Sequence, residues 1–213
     1  MKTNGKIEKK LLLIVVLLFS VGFVLHVVPA LRQKALILTE GFLFIINTFV
    51  FVAFIRNHFS WSLLMITFLI LLLTFFIEVM GVKTGLIFGS YAYGDVFNIT
   101  LFNVPLVIGF NWLMLILSAN SLVKYWLRHR WIFTALLAAV LVLILDVLLE
   151  PVAITLGYWS WESHSVPIRN YMAWFVIGAC FSFILKSYDL KSSILKYYII
   201  IQFLYFAGLT VLL

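Results

Sequence analysis

Seven long apolar stretches constrain the fold of this chain more than any other feature of its sequence. A helix needs about 20 mostly apolar residues to cross a bilayer, and about 17 suffice. Stretches close to this length cover residues 11–28, 35–55, 61–77, 101–118, 131–149, 171–185 and 194–213. Only 11% of the residues are charged, against roughly 25% in a soluble domain. We therefore expect an all-α, polytopic membrane protein with about seven transmembrane helices, forming a single integral membrane domain over residues 1–213.

The first apolar stretch resembles a signal peptide, because basic residues precede it. The sequence that follows, VVPALRQK, lacks a convincing small-residue cleavage site, and the next apolar stretch starts at once. We therefore expect an uncleaved first helix.

The basic residues predict the orientation of the helices, since cytoplasmic connections are enriched in Lys and Arg. With the N-terminus in the cytoplasm, the inner segments hold eleven of them: Lys2, Lys6, Lys9, Lys10, Arg56, Lys124, Arg128, Arg130, Lys186, Lys191 and Lys196. The outer segments hold four: Arg32, Lys34, Lys83 and Arg169. The net charge of +7 thus indicates membrane topology and not nucleic-acid binding. We expect a protein of the inner or plasma membrane whose long connections, 78–102 and 146–170, both open on the outer face.

These two long connections share one pattern. The first reads EVMGVKTGLIFGSYAYGDV and then VPLVIGFNW; the second reads DVLLEPVAITLGYWSWE and then VPIRNYMAW. In each copy a glycine stands eleven residues after the acid Glu78 or Asp146, and aromatic residues stand thirteen and fifteen residues after it. A tryptophan also stands seven residues after the proline of each Val-Pro. The residues are Gly89, Tyr91, Tyr93 and Trp112 in the first copy and Gly157, Trp159, Trp161 and Trp174 in the second. The spacing predicts two parallel helix–loop–helix pseudo-repeats, 78–112 and 146–174, related by a pseudo-twofold axis along the membrane normal. The alternative is coincidence among common interfacial residues.

Five of the eight acidic residues fall in the two units: Glu78, Asp95, Asp146, Glu150 and Glu162. A charged side chain at the bilayer centre costs about 2.5–3.5 kcal/mol, and intramembrane acids usually face the interior of a bundle. Asp146 and Glu150 are four residues apart, so they are neighbours on a helix and one is expected to stay protonated near neutral pH. A carboxylic acid beside a carboxylate suits general acid–base chemistry. Alternatively, these groups only bond neighbouring helices.

Pro151 predicts where the helix with these two acids ends, because proline cannot continue a helix and disfavours helical geometry at Glu150. Both acids would then lie at the outer mouth of the bundle. The alternating pairs Tyr91/Tyr93 and Trp159/Trp161 fit extended strands that each show one aromatic face. Such a face stabilises a desolvated cation by about 2 kcal/mol, although an interfacial aromatic belt has the same composition.

Several other chemistries find no support in the sequence. The histidines are scattered without metal-ligand spacing, and no glycine motif of a nucleotide or phosphate site is present. Cys180 lies in an apolar run and fits a packing role. We expect no cofactor and no metal. Acid–base chemistry on a lipophilic substrate remains, or binding and transport without chemistry.

The composite motifs ExxGxxTGxxFGxYxYG, VPLxIxxxW, DxxLEPxAxxxGYWxW and VPxxNYxxW resemble the carotenoid hydratase family of integral membrane proteins. Its members are the hydratases of bisanhydrobacterioruberin and of monocyclic or acyclic carotenes. The resemblance runs from about residue 78 to 174. It implies a cofactor-free hydro-lyase that adds water to the terminal 1,2 double bond of a ψ end group, giving a tertiary alcohol.

This resemblance also implies roles for the candidate residues. Asp146 is expected to donate the proton, with Glu150 or Glu78 as base or partner. The end-group pocket and the orientation of water are assigned to Tyr91, Tyr93, Trp112, Trp159, Trp161, Asn170 and Trp174. The expected partners are a lipophilic carotenoid and membrane lipid. Two alternatives remain: a carotenoid or isoprenoid cyclase, which excludes water so that a ring closes, and a non-catalytic lipid or small-molecule transporter.

Overall fold

The computed structural model describes residues 5–127 and 130–213, with side chains from Glu8 onward. The described residues form seven α-helices: α1 (Gly5–Val27), α2 (Pro29–His58), α3 (Trp61–Thr84), α4 (Leu106–Lys124), α5 (Trp131–Thr155), α6 (Ile168–Ile184) and α7 (Ser193–Leu212). Four short strands lie in the two long connections: β1 (Tyr91–Tyr93), β2 (Thr100–Leu101), β3 (Val104–Pro105) and β4 (Trp159–Trp161). All seven helices are long and apolar enough to cross a membrane, which confirms the all-α, polytopic prediction. The orientation stays a prediction, and Lys2 and Arg128 of its charge count lie outside the described residues.

The predicted helix ends were wrong where the two long connections begin and end. The fourth helix starts at Leu106 and not at residue 101, because residues 100–105 form the antiparallel β2–β3 hairpin. The third helix continues past Glu78 to Thr84, so Glu78 lies inside a helix and not at its end. The connections are therefore shorter and more ordered than the apolar pattern alone indicated.

The prediction that α5 ends near Pro151 was also wrong, since α5 runs through this residue to Thr155. Proline is tolerated inside membrane helices where neighbouring groups satisfy the backbone that it disturbs. The hydroxyl of Thr210, on α7, donates to the carbonyl oxygen of Leu148 at 3.0 Å, one residue after the Val147 carbonyl that the proline leaves without its helical donor. Both acids of this helix consequently lie within it, at least one turn before its end.

The central helix of the bundle is α4, which packs against α2, α3, α5 and α7. Every residue of α4 from Trp112 to Val123 is buried. The α6 helix packs mainly on α5, and α1 packs on α2 and α7. This arrangement leaves the outer faces of the peripheral helices apolar and exposed, as contact with lipid requires.

Strands β1 and β4 join the two predicted repeat units in one antiparallel ribbon. Tyr91 is opposite Trp161 and Tyr93 is opposite Trp159. Two further backbone bonds extend the ribbon, from the Gly94 amide to the Tyr158 carbonyl (2.9 Å) and from the Glu162 amide to the Ser90 carbonyl (3.0 Å). A twofold axis through the centre of the ribbon exchanges these two bonds, since Ser90 and Tyr158 precede the two strands and Gly94 and Glu162 follow them. The antiparallel pairing supports the predicted pseudo-twofold relation.

Candidate active site

Glu78 is the centre of the first unit. Its side chain is only 4% exposed. Its Oε2 atom accepts hydrogen bonds from the hydroxyls of Tyr91 and Tyr93, the latter at 3.0 Å, and its Oε1 atom accepts from Nε1 of Trp112 at 2.7 Å. Alternate residues of a strand lie on one face, so β1 presents both phenols to the same carboxyl group. Both oxygens of Glu78 are thus held by donors.

The two tyrosines of β1 remain donors over the physiological pH range. Burial, and after it the charge of Glu78, raises the pKa of Tyr91 and of Tyr93 above the ordinary value of a phenol. Neither hydroxyl therefore loses its proton near neutral pH, and each can donate it to the carboxyl that it faces.

Glu150 takes the same place in the second unit. Its Oε2 atom accepts from Nε1 of Trp159 at 3.1 Å and from Nε1 of Trp161 at 2.9 Å. Its Oε1 atom accepts from Nδ2 of Asn170 at 3.2 Å. The β4 strand thus binds Glu150 as the β1 strand binds Glu78.

By its contacts, therefore, Glu78 corresponds to Glu150, and not to Asp146 as the shared eleven-residue offset indicated. The helix ends explain the difference. Gly85 stands seven residues after Glu78 and Gly157 seven after Glu150, and both have a positive φ. Gly85 directly follows α3, and Gly157 follows α5 after one further residue. The segment from that glycine to the strand is four residues longer in the first unit, which makes the offset from Glu78 match Asp146 instead.

Asp146 lies one turn before Glu150 on α5 and is fully buried. Its Oδ2 atom accepts from Nδ2 of Asn170 at 2.8 Å, so a single amide nitrogen joins the two carboxyl groups. Its Oδ1 atom has no hydrogen-bond partner among the described residues. In the first unit, Thr74 stands at the corresponding position, and its hydroxyl bonds to the Ile70 carbonyl of its own helix at 2.9 Å.

A cavity of about 470 Å³ brings most of the candidate residues together, a volume typical of ligand pockets. Nine of the ten predicted site residues line it: Glu78, Tyr91, Tyr93, Trp112, Glu150, Trp159, Trp161, Asn170 and Trp174. Asp146 is not among them, but it accepts a hydrogen bond from Asn170, which is. The rings of Trp112 and Trp174, which the repeat predicts to be equivalent, meet with centroids 4.1 Å apart.

The cavity reaches the apolar outer surface of the bundle between α1 and α2. Its wall includes Val21 of α1 and Ile37 and Ile45 of α2, which are also exposed on the outside. Among the described residues, no lysine or arginine lines it. The cavity therefore suits an uncharged, lipophilic guest that arrives from the bilayer.

Sequence reasoning missed a second set of polar residues on the same wall: His26, Thr39, Tyr158, Gln202 and Tyr205. It also missed Glu40 of α2, whose carboxylate accepts the backbone amides of Asn98 and Ile99 at 2.8 and 3.0 Å and so holds the β1–β2 connection. Polar residues within apolar stretches, such as Gln202 in IIIQFLYF, were the signal that could have found them.

Within the described part of the chain, no group of three or more His, Cys, Asp or Glu side chains is placed to hold a metal ion. The absence of a cofactor or metal from the reaction stays a prediction.

Comparison of the sequence with known proteins identifies its family. Residues 39–209 match the family of carotenoid biosynthesis proteins. A bisanhydrobacterioruberin hydratase of Haloarcula japonica is 33% identical over 110 residues, which cover 48% of this chain and 38% of that protein. No solved structure matches the chain. Because the family match spans most of the sequence, the chain belongs to the carotenoid biosynthesis protein family.

Proposed function

We propose that this protein is a carotenoid hydratase, which adds water to the terminal 1,2 double bond of a ψ end group and forms a tertiary alcohol. The observation that carries the proposal is that Glu78 and Glu150 line one aromatic-walled cavity with an opening to lipid. The hydratase name of the relative from Haloarcula japonica supports the same reaction class.

The first step is protonation of the alkene. Glu150 lines the cavity and Asp146 does not, so Glu150 is the group that reaches the substrate. Asp146 and Glu150 bond to the same amide nitrogen of Asn170, so their carboxyl groups are close neighbours. Two negative charges so close together repel, which favours one proton shared between the two groups. The proton moves from Glu150 to C2, the less substituted alkene carbon, and the π electrons form the new C–H bond. A tertiary carbocation remains at C1.

The second step is capture of the cation by water. The aromatic faces of β1 and β4 stabilise a cation without reacting with it. The ring of Tyr91 lies 5.1 Å from that of Trp161 and the ring of Tyr93 lies 6.2 Å from that of Trp159, measured between centroids, so four rings form one wall. Water bonds to C1 through an oxygen lone pair and passes one proton to a carboxylate; Glu78, which lines the same cavity, is the proposed acceptor. The substrate gains one water, and the carboxyl groups together neither gain nor lose a proton.

The predicted topology fits this reaction. If the N-terminus is cytoplasmic, the β1–β4 ribbon lies toward the outer face, where water is at hand. The polyene would stay in lipid and insert its end group between α1 and α2. Orientation, substrate and reaction are parts of one proposal.

The test is pigment analysis of a carotene-producing host that expresses the protein. We expect a product that is heavier by one water and is an alcohol, and we expect it to be absent with Glu150→Gln. An isomer of unchanged mass would instead identify a cyclase, since ring closure after the same protonation adds nothing. Unchanged pigments with lycopene, γ-carotene and bacterioruberin precursors all supplied would contradict the proposal and favour a transporter.

A further inference from the structure

The cavity wall carries a second polar group that the acid–base steps do not use. It combines His26 of α1, Thr39 of α2, Tyr158 next to β4, and Gln202 and Tyr205 of α7. The group contains no carboxylate, no lysine and no arginine. Their hydrogen bonds show which of their atoms are already occupied and which are free for a ligand.

His26 fixes the donor and acceptor roles in this group. Its Nδ1 atom lies 2.8 Å from the carbonyl oxygen of Gly22, and a carbonyl can only accept, so Nδ1 carries the hydrogen. In the neutral ring, Nε2 is then an acceptor, and it lies 3.1 Å from the hydroxyl of Tyr158. The hydroxyl oxygen of Tyr205 lies 3.0 Å from the same Nδ1 atom and accepts from its single hydrogen, which it shares with the Gly22 carbonyl. The hydroxyl hydrogen of Tyr205 is left to donate elsewhere.

Tyr158 supplies a free acceptor. Its single hydroxyl hydrogen goes to His26, and burial raises the pKa of Tyr158 to about 12, so the phenol stays neutral. Thr39 lies 3.4 Å from the Tyr158 oxygen but uses its own hydroxyl hydrogen on the carbonyl of Ala35 at 2.9 Å. The lone pairs of the Tyr158 oxygen are therefore available to a donor in the cavity.

Gln202 supplies a free donor. It is only 4% exposed, it lines the cavity, and its Nε2 atom has no hydrogen-bond partner among the described residues. It stands three residues before Tyr205, so the two side chains are neighbours on one face of α7. A buried amide without a partner is costly and rare in native structures, and it indicates a group that the site is built to receive.

We propose that Tyr158, Gln202 and Tyr205 form a binding site for a neutral hydroxyl group, oriented by His26. A hydroxyl both donates and accepts, which matches one free acceptor and two free donors. The lack of a lysine or arginine on the described wall excludes an anionic group such as a phosphate as a matched ligand. The hydroxyl belongs either to a lipid alcohol or to the water that the reaction consumes. The choice of a polyene as the rest of the ligand rests on the proposed function.

The test for a lipid alcohol is a binding comparison that needs no catalysis. Lycopene and its 1-hydroxy derivative are titrated into the purified, detergent-solubilised protein, and binding is followed by quenching of the four cavity tryptophans, Trp112, Trp159, Trp161 and Trp174. One added hydrogen bond corresponds to about five- to tenfold in Kd. We expect the alcohol to bind that much more tightly, and we expect Gln202→Met and Tyr158→Phe each to remove the preference. Tyr188→Phe, which loses a hydroxyl outside the cavity, is the control and keeps it.

The test for water uses turnover of the hydrocarbon. If the bound hydroxyl is water, Gln202→Met lowers kcat about tenfold and leaves the Kd of lycopene unchanged. Thermal unfolding shows that each variant is folded, and Gln202→Met keeps the shape of the side chain. Folded variants with neither a lost preference nor a lower kcat would overturn the proposal. A wild-type protein that hydrates nothing but prefers the alcohol would overturn the proposed function alone.

Discussion

The two repeat units hold their carboxyl groups with the same scaffold but with different partners. In the first unit, two phenols and one indole donate to Glu78, and both of its oxygens are occupied. In the second unit, two indoles and one amide donate to Glu150, and the same amide also holds Asp146. One unit therefore offers a single carboxyl group and the other a pair. Under the proposed function, the pair would supply the proton and the single group would receive one.

Two substitutions between the units account for this difference. Asp146 corresponds to Thr74, since each stands one turn before the acid that its strand binds. Asn170 corresponds to Ile108, since each follows its Val-Pro by three residues. An aspartate without Asn170 would lack its donor, and Asn170 without the aspartate would have only Glu150 to bind. The second unit thus has both an additional carboxyl group and the amide that donates to it, and the first unit has neither.

The largest expected effect is that of Glu150→Gln. The change keeps the shape of the side chain but removes the proton donor that faces the cavity, and positioned general acids contribute about 10²–10⁴-fold to rates. We expect hydration to fall by about 10³-fold, measured as conversion of a ψ-end carotene by membranes that contain equal amounts of protein. Glu162→Gln, at an exposed acid just beyond β4, is the matched control and should keep the wild-type rate. Equal hydration rates for Glu150→Gln and Glu162→Gln would contradict the assignment of the proton donor to the second unit.

A smaller loss, of about 10²-fold, is expected for Asp146→Asn. This side chain reaches the substrate only through its neighbour, so the variant leaves Glu150 in place but removes the second carboxyl group of the pair. The pH–rate profile separates this role from a structural one, because the proton donor is lost as pH rises, and one titrating group then governs the alkaline limb where two coupled groups did before. A transporter would keep its activity with Asp146→Asn, since transport does not need the adjacent acids.

The glycines of the two loops give a comparison in stability. Gly89 has φ +113°, and an added Cβ would lie 2.7 Å from Cγ of Pro167; Gly157 has φ +71° and no atom within 4 Å of such a Cβ. Positive φ alone costs an alanine roughly 1–2 kcal/mol. We expect Gly157→Ala to lose about that much unfolding free energy and Gly89→Ala to lose more, with a larger drop in the detergent melting temperature. Equal losses of unfolding free energy would show that Pro167 moves to accommodate the added Cβ, so that the first loop is packed no more closely than the second.

The sequence predicted those parts of the fold that depend on neighbours along the chain. The seven helices follow from apolar length, and the two strands β1 and β4 follow from alternating aromatics. The correspondence of Glu78 with Glu150 could not be read in this way, because it depends on loop lengths that shift the spacing. The hydroxyl-binding group depends on contacts far apart in the chain: Tyr158 lies 132 residues from His26, and Tyr205 lies 179. No local pattern joins such residues.

The smallest expected effect compares single donors in the two units. Tyr93→Phe removes one donor from Glu78, and Trp159→Phe removes one from Glu150, so each acid keeps two. A typical intramolecular hydrogen bond contributes about 1 kcal/mol net, so each variant should lose about that much unfolding free energy in the same detergent. Tyr197→Phe, on the exposed side of α7, is the control with no expected loss. A much larger loss for Trp159→Phe would mean that the indole stabilises its unit by filling space, whereas equal losses would mean that both strands stabilise their acid by donation alone.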